Sequence, residues 1–217
     1  MASRISAVWT DFGGVLTPPI SHTMGVFCRS AGLDPAVLMA AVEKVTRDYG
    51  TTDMMEPIDT PLVTEAEWLR QVGDVLEADH GVSLRLNSLA DTWFDGRETN
   101  HAWVRALREI AARGVFVGLI SNMVPAWDAH WRRMVPVDEL FADVLLSFEV
   151  GHRKPQAAMF ELAARRAGVP AQECVLVDDL EHNLAGARAA GWHAVLFRDA
   201  RSALAEIEPL LEPKELA

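Results

Sequence analysis

The 217-residue sequence predicts an α/β fold in which a doubly wound parallel sheet carries an inserted helical segment. Five short, solidly apolar segments are typical of strands that are buried on both faces. They are residues 7–10, 115–120, 144–147, 174–177 and 194–197. Helical patterns lie between the later segments. Because strands and helices alternate, we expect a parallel sheet with helices covering both of its faces.

The first strand ends in an unusual way, within the stretch VWTDFGGVLTPP at residues 8–19. Asp11 follows three apolar or β-prone residues, and two glycines follow it closely. Asp is a poor strand former and Gly is costly in a strand, so neither residue suits a purely structural strand end. The combination predicts a backbone that turns sharply and that another group approaches closely.

Helical patterns are recognised by apolar residues that recur at helical spacing. They occur at residues 35–47, 64–76, 103–111, 160–167 and 184–190. The last three are each followed by a glycine, which is a common residue just after the C-terminus of a helix. These three helices are expected to cover the sheet.

Residues 18–98 interrupt the alternation, because they contain helical patterns but no convincing core strand. We therefore expect an α/β core domain formed by residues 1–17 and 99–217, and a helical cap domain formed by residues 18–98. The double proline Pro18-Pro19 and the stretch FDGRETN at residues 94–100 have the composition of connecting chain.

The composition excludes some partners. The formal net charge of −11 argues against a nucleic acid or an anionic membrane as partner, because both require a basic surface. The N-terminal segment lacks the layout of a signal peptide, and no apolar run reaches the ~20 residues of a membrane helix. The two cysteines, Cys28 and Cys174, are far apart and are interpreted as thiols. A cytoplasmic location is therefore expected, while the oligomeric state cannot be predicted.

Polar residues that can take part in catalysis or ligand binding follow four of the predicted strands. They are Asp11, the pair Ser121-Asn122, Lys154, and the pair Asp178-Asp179. In open α/β sheets, ligands bind beyond the carboxyl ends of the strands. We therefore expect Asp11, Ser121, Lys154 and Asp179 to meet in one cleft beneath the helical cap.

The residue types indicate phosphoryl chemistry. Asp11 is a carboxylate that can attack phosphorus and form an aspartyl phosphate, although an Asp can also cap a turn. Ser121 and Asn122 can donate hydrogen bonds to phosphoryl oxygens, although such a pair is often a turn or a helix cap. Lys154 supplies a positive charge that can pair with Asp11 and with a phosphoryl group, or it can be a surface lysine.

Asp178 and Asp179 are adjacent acids whose mutual repulsion is costly unless they share a cation. Hard oxygen ligands of this kind suit Mg²⁺, although the pair can also cap a helix N-terminus. Asn183 lies one helical turn after Asp179, and it is therefore expected to orient that acid.

Four segments in order resemble the motifs of the haloacid dehalogenase superfamily of hydrolases. They are DFGGVLT, LISN, the lysine of GHRKP, and LVDDLEHNLAGARAAGW. The resemblance implies a Rossmann-like core with a helical cap inserted after the first motif. It also implies catalytic roles for Asp11, Ser121, Asn122 and Lys154. For a Mg²⁺ ion it implies Asp179 as the main ligand, beside Asp178, Asp11 and the carbonyl of Gly13.

The sequence departs from the family pattern at Gly13. Most phosphatases of the family have a second aspartate there, which serves as general acid and base, and the DxGG form resembles the epoxide hydrolase N-terminal and sugar-phosphate phosphatase types. The first hypothesis is a Mg²⁺-dependent phosphatase of a small phosphorylated metabolite. The second is a 2-haloacid dehalogenase, which the pair Asp178-Asp179 disfavours because those enzymes use no metal. The third is a non-catalytic protein that binds a phosphorylated ligand.

The substrate itself cannot be predicted from the sequence. No readable motif occurs in residues 18–94, which form most of the expected cap. Three residues of this region, His22, Arg29 and Arg47, can contact an anionic or a sugar group, or they can simply lie at the surface.

Overall fold

The computed structural model describes residues 4–85 and 88–211. The strands are β1 (Ala7–Thr10), β2 (Phe116–Ser121), β3 (Asp143–Leu146), β4 (Cys174–Asp178) and β5 (His193–Leu196). The α-helices are α1 (Ile20–Ala31), α2 (Pro35–Asp48), α3 (Glu56–Asp59), α4 (Glu65–His80), α5 (Ala90–Phe94), α6 (His101–Ala112), α7 (Asp128–Trp131), α8 (Val137–Leu140), α9 (Ser147–Val150), α10 (Ala157–Ala167), α11 (Glu181–Ala189) and α12 (Ala200–Leu211). Two short 3₁₀ helices span Pro125–Trp127 and Ala171–Glu173.

The five strands form one parallel sheet in the order β3-β2-β1-β4-β5. The central strand β1 pairs on both sides, so that Val8 lies beside Val117 of β2 and Val175 of β4. The predicted fold class is confirmed, with each strand within one residue of its expected bounds. Ser121 and Asp178 are the last residues of their strands rather than the first residues after them.

Large aromatic side chains fill one face of this sheet. Trp9, Phe160 and Trp192 belong to one buried cluster. Phe160 and Trp192 meet edge to face with their ring centroids 5.4 Å apart, a spacing typical of aromatic pairs. Gly118 of β2 makes room for Trp9, because a Cβ there would lie 2.5 Å from the Trp9 ring. A strand glycine is thus explained by the close packing of a tryptophan.

The described residues pack into two compact units. The first unit comprises the described parts of Met1–Pro19, Glu98–Ser121 and Val135–Ala217, and it contains the whole sheet. The second comprises Ile20–Arg97 and Asn122–Met134. The predicted domain boundaries stay a prediction. The structure differs from them in two respects: Pro18, Pro19 and Glu98 belong to the unit that contains the sheet, and Asn122–Met134 packs with the helical residues.

The helices of the second unit begin at the residues that the sequence indicates. Asp34 caps α2 by accepting a hydrogen bond from the Ala36 N–H at 2.8 Å, and Thr64 caps α4 by accepting from the Glu67 N–H. The two helices pack against each other. In the described residues, no single helix is long and apolar enough to cross a membrane, and only α1 and α2 together, with a 114° bend between them, reach that length and composition.

A buried carboxylate joins Asn122–Met134 to α4. Glu65 accepts hydrogen bonds from Trp127 Nε1 at 2.6 Å, from Ser88 Oγ at 3.1 Å and from the Leu89 N–H at 3.2 Å. Three donors to one carboxylate compensate for the loss of its hydration on burial. This acid therefore explains why the segment after β2 packs with the helical unit.

Candidate active site

Asp11 follows the central strand and is held by the strand beside it. Its N–H donates to the Val177 carbonyl at 2.9 Å, which continues the β1–β4 ladder by one residue. Thr10 Oγ1 donates to the Asp11 carbonyl and accepts from Trp103 Nε1 at 3.0 Å. The backbone of Asp11 is thus fixed on both sides, while its side chain lies at the carboxyl edge of the sheet, where ligands of such folds bind.

The turn after Asp11 closes around a single carbonyl group. The Phe12 carbonyl accepts from the N–H groups of Val15, Leu16 and Thr17, and also from the Thr17 hydroxyl. Gly13 and Thr17 form an isolated parallel bridge. The sharp turn predicted from the two glycines is therefore present.

Lys154 lies between two carboxylates. Its Nζ donates to Asp11 Oδ1 at 2.7 Å and to Asp178 Oδ2 at 2.5 Å, and its side chain is 1% exposed. Burial lowers the pKa of Lys154, but the charges of Asp11 and Asp178 outweigh this effect and raise the pKa above its ordinary value. Lys154 is therefore a fixed cation, and the interpretation as a surface lysine is wrong.

Of the three acids at this edge of the sheet, Asp11, Asp178 and Asp179, Asp178 accepts the most hydrogen bonds. Its Oδ1 accepts from the Leu180 N–H at 2.9 Å, and Asn183 Nδ2 lies 3.1 Å from both of its oxygens. Asn183 therefore contacts Asp178, and the expectation that it orients Asp179 is wrong. The reason is that α11 begins only at Glu181, so Asp179 is not part of the same helix and does not share a face with Asn183.

Asp179 lies against the turn after Asp11. A Cβ at Gly14 would fall 1.9 Å from Asp179 Oδ2, so any side chain there would occupy the position of this carboxylate. Gly14 also has φ +83°, a conformation that residues with a Cβ adopt only at a cost. The close approach predicted from the two glycines is thus made by the Asp179 carboxylate. It requires a glycine at position 14, because a side chain there would overlap this carboxylate.

Three carboxylates converge at this point and form a donor set that fits a hard cation. Ligand oxygens of Asp11, Asp178 and Asp179 all lie within 4.8 Å of one another. Burial raises the pKa of Asp11 to about 6 and that of Asp179 to about 7, and the neighbouring acids add to both shifts. The buried Asn183 Oδ1 beside them has no hydrogen-bond partner, and ion-bound water would supply one.

The remaining predicted site residues lie near this edge of the sheet or in the other unit. Ser121 is buried at the end of β2, and Asn122 follows it as the first residue of the segment that packs with the helical unit. His22, Arg29 and Arg47 are all exposed on helices of that unit. Sequence reasoning missed the role of Gly14, although the adjacent glycines were the signal for it.

A family model described as haloacid dehalogenase-like hydrolase matches residues 5–191, which is most of the chain. The match begins before β1 and includes every residue of the acid cluster and Lys154.

Two curated relatives are phosphatases. The ribulose-1,5-bisphosphate 5-phosphatase of Halopiger xanaduensis is 35% identical over 92 residues, which are 42% of this chain and 38% of that protein. The phosphoserine phosphatase of Thermus thermophilus is 33% identical over 128 residues, 56% of this chain and 51% of that protein. The chain thus matches about half the length, or less, of these relatives.

Solved structures share the fold. A haloacid dehalogenase family enzyme from Bacteroides thetaiotaomicron, in complex with magnesium and inorganic phosphate, has a TM-score of 0.61 at 18% identity and covers 88% of this chain and 93% of its own. An L-2-haloacid dehalogenase has a TM-score of 0.70 at 19% identity, covering 95% of this chain and 100% of its own. At these identities the similarity shows the fold alone.

Proposed function

Because the chain belongs to the haloacid dehalogenase-like hydrolases, we propose that it is a Mg²⁺-dependent phosphatase that acts on a small phosphorylated metabolite through Asp11. One observation carries the proposal: the buried Lys154 ammonium contacts Asp11 while three carboxylates converge beside it. The named phosphatase activities of the two curated relatives support the same reaction.

Asp11 is the proposed nucleophile. An oxygen of its carboxylate attacks phosphorus, the bond from phosphorus to the leaving oxygen breaks, and the phosphoryl group is held as an acyl phosphate. Water then attacks phosphorus, inorganic phosphate leaves, and the carboxylate is restored. Because the pKa of Asp11 is about 6, the nucleophilic carboxylate form prevails at neutral pH.

Lys154 and the residues after β2 are proposed to hold the phosphoryl oxygens. Lys154 is already fixed by two ion pairs, so its charge needs no rearrangement when the substrate binds. The hydroxyl of Ser121 and the amide of Asn122 are the proposed donors from the end of β2. These groups act by electrostatic stabilisation of the charge that moves onto the phosphoryl group.

Asp11, Asp178, Asp179 and the carbonyl of Gly13 are the groups that would hold Mg²⁺. When bound there, the ion supplies positive charge that offsets the repulsion between the acids and an anionic phosphoryl group. Because Gly14 has no side chain, the Asp179 carboxylate has room to lie at this turn. Lys154 offsets part of the negative charge of the three acids.

The proposed function is tested with an aryl phosphate as substrate, in the presence of Mg²⁺ or of excess chelator. We expect hydrolysis that requires the metal, and no release of chloride from 2-chloropropionate under the same conditions. Undiminished hydrolysis in chelator would reject the metal assignment. Sustained chloride release without metal would favour a dehalogenase, and no turnover of any phosphorylated metabolite would favour a binding protein.

Gly13→Asp tests the departure from the family pattern. The new carboxylate is expected to protonate the leaving oxygen, a contribution that is typically worth ~10²–10⁴ in rate. The gain should be larger for alkyl phosphates than for aryl phosphates, because an alkoxide needs a proton more than a phenolate does. The measurement is the alkyl-to-aryl ratio of kcat/KM. Gly13→Ala is the matched control, and an equal ratio in both variants would mean that position 13 does not stand in for an acid–base group.

A further inference from the structure

Helix α11 contacts Asp178 and Pro155, the residue that follows Lys154. Near its N-terminus, the Asn183 amide lies 3.1 Å from both oxygens of Asp178. One turn later, Gly186 packs against Pro155, the residue that follows Lys154. A Cβ at Gly186 would lie 2.6 Å from both the Cβ and the carbonyl oxygen of Pro155.

A glycine at this position is costly to the helix. Gly186 lies inside α11, where glycine is about 0.5–1 kcal/mol less favourable than alanine. Its φ is not in the left-handed region, so backbone conformation does not require a glycine here. The close approach of Pro155 is the feature that requires it.

We propose that Gly186 is a positioning residue for Lys154, an inference that rests on the proposed function for its catalytic consequence. Any side chain at this position must move Pro155 by about 1 Å to restore an ordinary van der Waals distance. Lys154 adjoins Pro155 and reaches two carboxylates at 2.7 and 2.5 Å, so a displacement of this size separates its ammonium from at least one of them.

The chain provides a matched control in Gly25. This glycine also lies inside a helix, α1, and a Cβ added to it would lie 3.4 Å from the flexible end of the Arg29 side chain. Both Gly→Ala changes therefore improve helix propensity by the same amount. A difference between the two variants isolates the contact with Pro155.

The first measurement does not depend on activity. The chain contains three lysines, Lys44, Lys154 and Lys214, so a ¹⁵N-lysine-labelled sample has few ammonium signals. A buried, ion-paired ammonium exchanges its protons slowly and is observable by NMR, and the signal lost in Lys154→Met identifies it. We expect this signal in the wild type and in Gly25→Ala, and its loss or displacement in Gly186→Ala. An unchanged signal in Gly186→Ala overturns the inference.

The second measurement is kcat/KM for an aryl phosphate with Mg²⁺. We expect a reduction of about 10²-fold in Gly186→Ala, because a misplacement of about 1 Å has this effect on catalysis, and no more than a twofold change in Gly25→Ala. A displaced signal with full activity overturns the inference. An inactive wild type with a displaced signal contradicts the proposed function alone, because the positioning of Lys154 is then still observed.

A second variant serves if Gly186→Ala does not fold. Pro155→Gly on the Gly186→Ala background removes the Pro155 Cβ, one of the two atoms that the new methyl group meets at 2.6 Å, and it frees the backbone that carries the other, the carbonyl oxygen. We expect the folded protein and the Lys154 ammonium signal to return at least in part. A double variant that folds but lacks the signal contradicts the inference.

Discussion

Replacement of Asp11 by Asn is expected to lower kcat for an aryl phosphate by about 10³-fold or more. The amide keeps the size of the side chain but is a poor nucleophile, so no acyl phosphate forms. The ion pair with Lys154 is also lost, while Asp178 continues to pair with the ammonium. The measurement is steady-state hydrolysis with Mg²⁺, together with acid quenching to detect the phosphorylated enzyme.

Asp143→Asn is the matched control for this prediction. Asp143 is the first residue of β3, at the amino end of the strand, and it pairs with Arg166 at the surface. Its replacement is expected to leave kcat within about twofold, because exposed ion pairs contribute little to stability. Activity that survives in Asp11→Asn, or that falls equally in Asp143→Asn, would contradict the assignment of Asp11 as nucleophile.

Lys154→Met is expected to reduce the free energy of unfolding by about 3–5 kcal/mol, because it leaves two buried carboxylates without their cation. The effect should be smaller at pH 5 than at pH 8. Lys154 holds the pKa of Asp11 down, so its removal raises that pKa above about 6, and at pH 5 the proton takes the place of the missing charge. Urea unfolding of metal-free protein at the two pH values measures both effects.

Lys44→Met provides the comparison for Lys154→Met. Lys44 pairs with Asp79, but both side chains are more than a third exposed, and the expected loss is under about 1 kcal/mol. Adding Asp178→Asn to Lys154→Met should recover part of the lost stability, since it removes one of the unpaired charges. Equal losses for the two lysine variants would mean that the buried ion pairs are not the source of the effect.

The sheet and the position of the site could be predicted because both depend on local patterns. Solid apolar segments identify strands, and in a parallel sheet every strand presents its carboxyl end at the same edge. Asp11, Ser121, Lys154 and Asp179 are therefore expected to meet, although they are far apart in the sequence. In the structure, Lys154 contacts Asp11 and Asp178, and ligand oxygens of Asp11, Asp178 and Asp179 lie within 4.8 Å of one another.

The details that could not be predicted depend on contacts between distant segments. Helical spacing pairs Asn183 with Asp179, but the helix begins after that residue, so the amide contacts Asp178 instead. Adjacent glycines indicate a close approach without identifying which of the two permits it. The packing of Asn122–Met134 with the helical unit depends on the hydrogen bond from Trp127 to Glu65, which no local pattern indicates.

The central position of β1 has a consequence for how the chain folds. The contact between Asp11 and Lys154 joins residues 143 positions apart, and β1 is complete only when β4, far along the chain, pairs with its free edge. Closing so long a loop is entropically costly, and parallel pairing at this separation is slow. During synthesis, Asp11 leaves the ribosome long before Lys154, Asp178 and Asp179 do. The acid cluster therefore cannot form before β4 has been synthesised, and a nascent chain that ends before β4 contains Asp11 but neither Asp178 nor Asp179.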